Sequence, residues 1–193
     1  MFASSPIKLL YTDEHTTSKL STYLITLLNM VGTRPIVICC VGTDRSTGDS
    51  LGPLVGSQLS KNSPKNFYVY GTLDEPVHAM NLNDKISEIH GRFHNPFIIA
   101  VDASLGQMSS IGHIQVGDGP LKPGSGVNKE LPPVGNIHIT GIVNVSGFME
   151  YFVLQNTRLS IVMNMAEVIS TSIFHSMQSL HLLRTTHAAG NEI

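Results

Sequence analysis

The chain has 193 residues, enough to bury a sizeable core, and a formal net charge of −2 from 12 basic and 14 acidic side chains. Charged residues make up 13% and no basic run occurs, so neither nucleic acid nor an anionic membrane is expected as a main partner. A surface this poor in charge, well under the usual ~25%, points to cover by a further copy in a homo-oligomer.

The opening stretch "MFASSPIKLLYTDEHTT" lacks a basic region followed by a long apolar one, so no signal peptide is expected. No run of about eighteen apolar residues is present to span a membrane. Residues 17–30 repeat apolar positions at helical spacing, with Leu20, Tyr23, Leu24, Leu27 and Leu28 on one face. "PIVICCV" (35–41) is a continuous apolar run of strand length, as in strands buried on both faces of a parallel sheet. Its cysteines, Cys39 and Cys40, are neighbours that point to opposite faces of such a strand, so no disulfide is expected, in keeping with a reducing cytoplasm. After a polar loop, Pro53 suits the first turn of a helix over "LVGSQLSK".

"NFYVYGTL" (66–73) reads as a second strand, and "NLNDKISEIHGRF" as a helix begun at Asn81 or Asn83 and ended by Gly91. "PFIIAVDA" (96–103) is another buried run, followed by the alternating strand "IGHIQVGDG". Residues 117–136, rich in Gly and Pro, form a long loop carrying Lys122 and Ser125 that is expected to cover a site or a subunit contact. "NIHITGI" predicts a strand, "SGFMEYFVLQN" a helix starting near Ser146, and "RLSIVMN" a last strand. A terminal helix follows with Ala166, Ile169, Ile173, Met177 and Leu180 on one face, and a loose tail from Thr185. Strands alternating with helices predict an α/β sandwich with a mainly parallel sheet, one domain over 1–193 with its core at about 17–183.

In such sheets ligands bind beyond the carboxyl ends of the strands. Thr43, Asp44, Arg45 and Asp49 follow the first buried strand, and Asp102 ends the third. If those two strands are neighbours, their polar ends meet in one crevice, and His78 in "DEPVHA" would line it. Asp74 and Glu75 are rim groups or helix caps on the same argument. Two carboxylates held close cannot both ionise readily, so one keeps its proton. Such a pair can activate water and protonate an amide, or hold a divalent metal that activates the water. Asp49 could equally cap the helix after it. The residues alone leave these three readings open. Other chemistries find less support. "GTDRSTGDSLG" lacks both the Gly-Lys-Ser/Thr and the Gly-x-Gly-x-x-Gly of phosphate loops, and "DASLG" is not Gly-x-Ser-x-Gly. His90 and His94 are separated by a helix end, and His138 on a strand reads as a core or edge histidine.

"GTDRSTGDSLGPLVG", "GTLDEPVHA", "VDASLG" and "GNIHITGIVNVSGF" together resemble the YyaC family of sporulation proteins, over roughly residues 15–183. That family is similar in turn to the germination protease of spores and to the hydrogenase maturation endopeptidases. The resemblance implies a three-layer α/β/α fold and a location in the cytoplasm of the sporulating cell or spore. It also implies a peptidase-like hydrolase acting on protein or peptide, with small acid-soluble spore proteins as targets. Asp49 and Asp102 fall on the germination protease's catalytic aspartates and on two acidic metal ligands of the endopeptidases. The endopeptidases take their third ligand from a His-x-x-Gly; here "NVSG" puts Asn144 there, an amide that serves nickel or zinc poorly. A metal-free Asp49–Asp102 dyad without cofactor is therefore the favoured expectation, ahead of a metal-dependent peptidase and of a non-catalytic peptide-binding protein. Thr43, Asp44, Arg45, His78 and Asn144 are expected to hold substrate or water.

Overall fold

The computed structural model describes residues 7–62, 66–123 and 131–190. Strand β1 (Ile7–Leu10) leads into helix α1 (Thr16–Asn29), strand β2 (Ile36–Cys40) and, after a polar loop and a short 3-10 turn at Gly48–Ser50, helix α2 (Leu51–Lys61). Strand β3 (Tyr68–Tyr70), helix α3 (Leu82–Arg92), strand β4 (Phe97–Gly106) and strand β5 (His113–Asp118) follow. Strand β6 (Ile137–Val145), helix α4 (Glu150–Gln155) and helix α5 (Leu159–Gly190) complete the chain. The six strands form one sheet in the order β1-β5-β6-β4-β2-β3. Its β3-β2-β4-β6 side is parallel, while β5 pairs antiparallel with both β6 and β1, so the sheet is mixed.

Alternation along β2 sorts the core into two layers. Ile36, Ile38 and Cys40 face a cluster built with α1, α2 and α5, whereas Val37, Cys39 and Val41 face α3 through Leu82, Ile89 and Phe93. The two cysteines thus point to opposite faces, both free and buried, and the three-layer α/β/α arrangement is realised. The layers are unequal. Three helices cover one face; α3, with Leu121 and Val134 from the ends of the Gly- and Pro-rich loop, covers the other.

Several elements depart from the sequence reading. "RLSIVMN" is not a strand but the first turns of α5: Val162, Met165, Ala166, Ile169 and Ile173 lie buried at helical spacing with no Gly or Pro to interrupt them. The β-branched Ile161 and Val162 give the strand-like appearance, and packing on α1 and α2 overrides it. The helix also continues past Thr185 to Gly190, where a loose tail is expected. α3 passes through Gly91 and stops at Arg92. α4 starts at Glu150, four residues after Ser146, because Gly147 and Met149 both take positive φ, of 155° and 60°. β1 goes unread in the sequence: an edge strand of four residues needs a partner, and β5 supplies it. Ser125 lies outside the described residues, and Lys122 is exposed.

Candidate active site

β2 and β4 are immediate neighbours, in register with Cys39 opposite Ala100 and Cys40 opposite Val101. Their carboxyl ends therefore open together, and the polar loop after β2 lies over them. Glycines allow this closeness. A Cβ at Gly42, whose φ is 141°, would lie 2.1 Å from the Asp49 carbonyl oxygen, and one at Gly52 would lie 2.0 Å from the Val41 carbonyl oxygen. Only hydrogen at both positions lets the start of α2 press onto the end of β2. The Thr43 amide then donates to the Asp49 carbonyl at 3.1 Å, closing the loop on itself.

The result is a crevice of about 310 Å³ lined by Thr43, Arg45, Ser46, Asp49, His78 and Asp102, among others. Asp102 is 7% exposed, and one of its oxygens accepts from the Ala103 amide at 2.8 Å. Burial and the neighbouring Asp49 charge push its carboxyl well above the ordinary range. Burial alone raises Asp49. Asp102 therefore holds its proton more firmly, and Asp49 is the readier anion. Among the described residues no hydrogen bond to the Asp49 carboxylate caps α2, so the capping alternative is not realised. Beneath the pair, burial with a contribution from Asp102 pushes the Cys39 thiol up to about 12, which leaves it inert.

His78 reaches the rim because Val77 bridges Val41 beyond β3 and the Gly42 amide donates to the Val77 carbonyl at 2.8 Å. Asn81 then pins the turn, accepting from the His78 amide at 2.8 Å and donating to the Pro76 carbonyl at 3.0 Å. The Met80 amide donates to His78 Nδ1 at 3.2 Å, so a neutral ring carries its proton on Nε2.

Two expected site residues are not brought to the crevice. Asp44 is exposed beside it, accepting from the Thr43 hydroxyl at 3.4 Å, and among the described residues no ion pair joins it to Arg45. The Asn144 amide is engaged elsewhere and does not line the crevice: its nitrogen donates to the Val153 carbonyl at 3.3 Å and to Thr157 Oγ1 at 3.2 Å, and its oxygen accepts from the Val145 amide. It fastens α4 to β6. Ser46, Glu150, Tyr151 and Leu154 also line the crevice, and the sequence reading gives them no part in it. The last three arrive on α4, whose register relative to β4 no local pattern encodes.

A family described as "Protein of unknown function (DUF1256)" matches residues 8–172. The chain belongs to this family. It is 59% identical, over 84% of its own length and 80% of the relative's, to a Bacillus subtilis (strain 168) protein described as "Uncharacterized protein YyaC". Among solved structures it resembles the NiFe hydrogenase maturation protease HycI of Thermococcus kodakarensis KOD1, with a TM-score of 0.53 and 20% identity over 78% of this chain and 97% of that one. The likeness to that protease is one of fold.

A maturation-protease fold raises the question of a divalent metal, and the donor set here does not reproduce one. Asp49 and Asp102 are present, but the Asn144 amide is committed to α4. His138 sits level with Ala100, below Asp102, its Nδ1 bonded to the Gly119 carbonyl at 3.0 Å. Among the described residues no three His, Cys, Asp or Glu side chains come together as a metal site.

Proposed function

We propose that this protein is a peptidase of the sporulating cell that hydrolyses peptide bonds with an Asp49–Asp102 dyad and water. The observation that carries this reading is that one crevice holds two carboxyls, Asp102 from within β4 just beyond the end of β2 and Asp49 from the 3-10 turn before α2, with burial and the Asp49 charge favouring the protonated form of Asp102. The protease-like fold supports it at the level of architecture.

In the reaction, anionic Asp49 takes a proton from water as its oxygen attacks the scissile carbonyl carbon, and Asp102 gives its proton to the carbonyl oxygen. The resulting gem-diol collapses when Asp49 returns a proton to the departing nitrogen. The C–N bond breaks, and Asp102 recovers its proton from one hydroxyl as the new carboxyl forms. The dyad ends as it began. Arg45, exposed at the mouth, offers a planar fork to a substrate carboxylate, and Thr43 and His78 line the approach. Small acid-soluble spore proteins are the substrate class that the family resemblance supplies.

The test is a mass-spectrometric digest of purified small acid-soluble spore proteins with wild type, Asp49→Asn and Asp102→Asn, each with and without chelator. Discrete cleavage by wild type alone, unchanged by chelator, is expected. Activity lost to chelator and restored by one divalent ion would replace the dyad with a metal mechanism. No cleavage from acid to neutral pH would favour a binding role for the crevice.

A further inference from the structure

Among the described residues, the buried side-chain polar atom left without a hydrogen-bond partner is Ser46 Oγ. Ser46 is 8% exposed, and it lines the crevice that holds Asp49 and Asp102. Buried hydroxyls are almost always bonded, and an orphan calls for a reason. Its position supplies one. Ser46 lies in the bend just before the 3-10 turn that carries Asp49, and both residues line the same cavity.

A nucleophilic serine would need a base within reach. Ser46 Oγ bonds to none, and His78, with Nδ1 taken by the Met80 amide, presents an N–H rather than a lone pair on its other nitrogen. Nor is the hydroxyl a cap or a turn former, since it makes no hydrogen bond to the backbone of its own loop. A neutral donor buried and unpaired in the wall of the crevice that holds the dyad fits a partner that arrives with the substrate.

We propose that the Ser46 hydroxyl donates a hydrogen bond to the oxygen of the scissile carbonyl, beside Asp102, and stabilises the charge that gathers there as water attacks. This rests on the peptidase reading above and adds a third member to its machinery. The bond forms only as substrate reacts, so its loss falls on turnover rather than binding. Removing one such donor lowers kcat about 10²-fold.

The test compares wild type and Ser46→Ala in the same digest, run as initial rates over a substrate series, together with thermal unfolding of both. The expected result is a kcat about 10²-fold lower in Ser46→Ala, a KM within about twofold, and a Tm unchanged or raised, because the deleted hydroxyl bonds nothing in the free protein. Wild-type kcat in Ser46→Ala overturns the inference and leaves the dyad standing. A lowered Tm also overturns it, by exposing a structural bond. If wild type itself cleaves nothing, the peptidase reading falls and this inference falls with it.

Discussion

Asp102 illustrates the cost of burying a titratable group beside another of the same charge. Its folded carboxyl titrates above its unfolded value, since burial and Asp49 both disfavour the anion. A group of this kind contributes its full stability below the unfolded pKa of about 4, and that contribution is lost as pH rises through the folded value. Asn cannot ionise and keeps the oxygen that accepts from the Ala103 amide. Asp102→Asn is therefore expected to match wild type in thermal unfolding below about pH 4 and to be more stable at neutral pH, by about 2 °C or more in a chain of this size. Equal melting at pH 7 would mean that the carboxyl is not held protonated. Asp49, raised by burial, shifts the same way.

Between elements, the decisive contacts are backbone to backbone. A Cβ at Gly52 would fall 2.0 Å from the Val41 carbonyl oxygen, and neither α2 nor β2 can yield without disturbing the core on both sides. Gly48 is different: its Cβ would meet Leu154 Cδ2 and the buried Thr157 Oγ1 at 2.8 Å and the Leu154 carbonyl oxygen at 3.0 Å, in and just after a short helix with no buried residue of its own. Gly52→Ala is expected to cost about 3 kcal/mol in urea unfolding, as overpacking of a rigid junction. Gly48→Ala should cost about 1 kcal/mol. It should nonetheless reduce cleavage, because α4 carries Tyr151 and Leu154 into the crevice. If Gly48→Ala proves as destabilising as Gly52→Ala, α4 is a fixed wall and not an adjustable one.

At the scale of the molecule, polarity is unevenly spread. The α4 region exposes Phe148 (91%), Tyr151, Phe152, Leu159 and Met163, while the chain as a whole has few charges to keep such surface apart in water. Light scattering is expected to give a multiple of the chain mass. Phe148→Ser combined with Phe152→Ser should shift that mass downward without a matching loss of Tm. A monomeric wild type would leave the low charge content without this explanation. No helix among the described residues is long and apolar enough to cross a membrane.

Much of this was legible in the chain itself. The uninterrupted apolar runs of β2 and β4 are those of strands buried on both faces of a sheet, and the polar residues after them put Asp49 and Asp102 toward its carboxyl side, although β4 continues four residues past Asp102 to Gly106. That the two act as a pair was implied by the family resemblance. Local patterns report what a segment buries, not what lies beside it. Tertiary structure decided that β2 and β4 are neighbours and that Asn144 serves α4. It also decided that Ile161 and Val162, strand-like by themselves, join a helix of 32 residues. It alone singled out Ser46. In "DRSTGD" a serine looks like any turn residue, and only the packing of the loop between β2 and α2 buries its hydroxyl in the crevice wall without offering a partner.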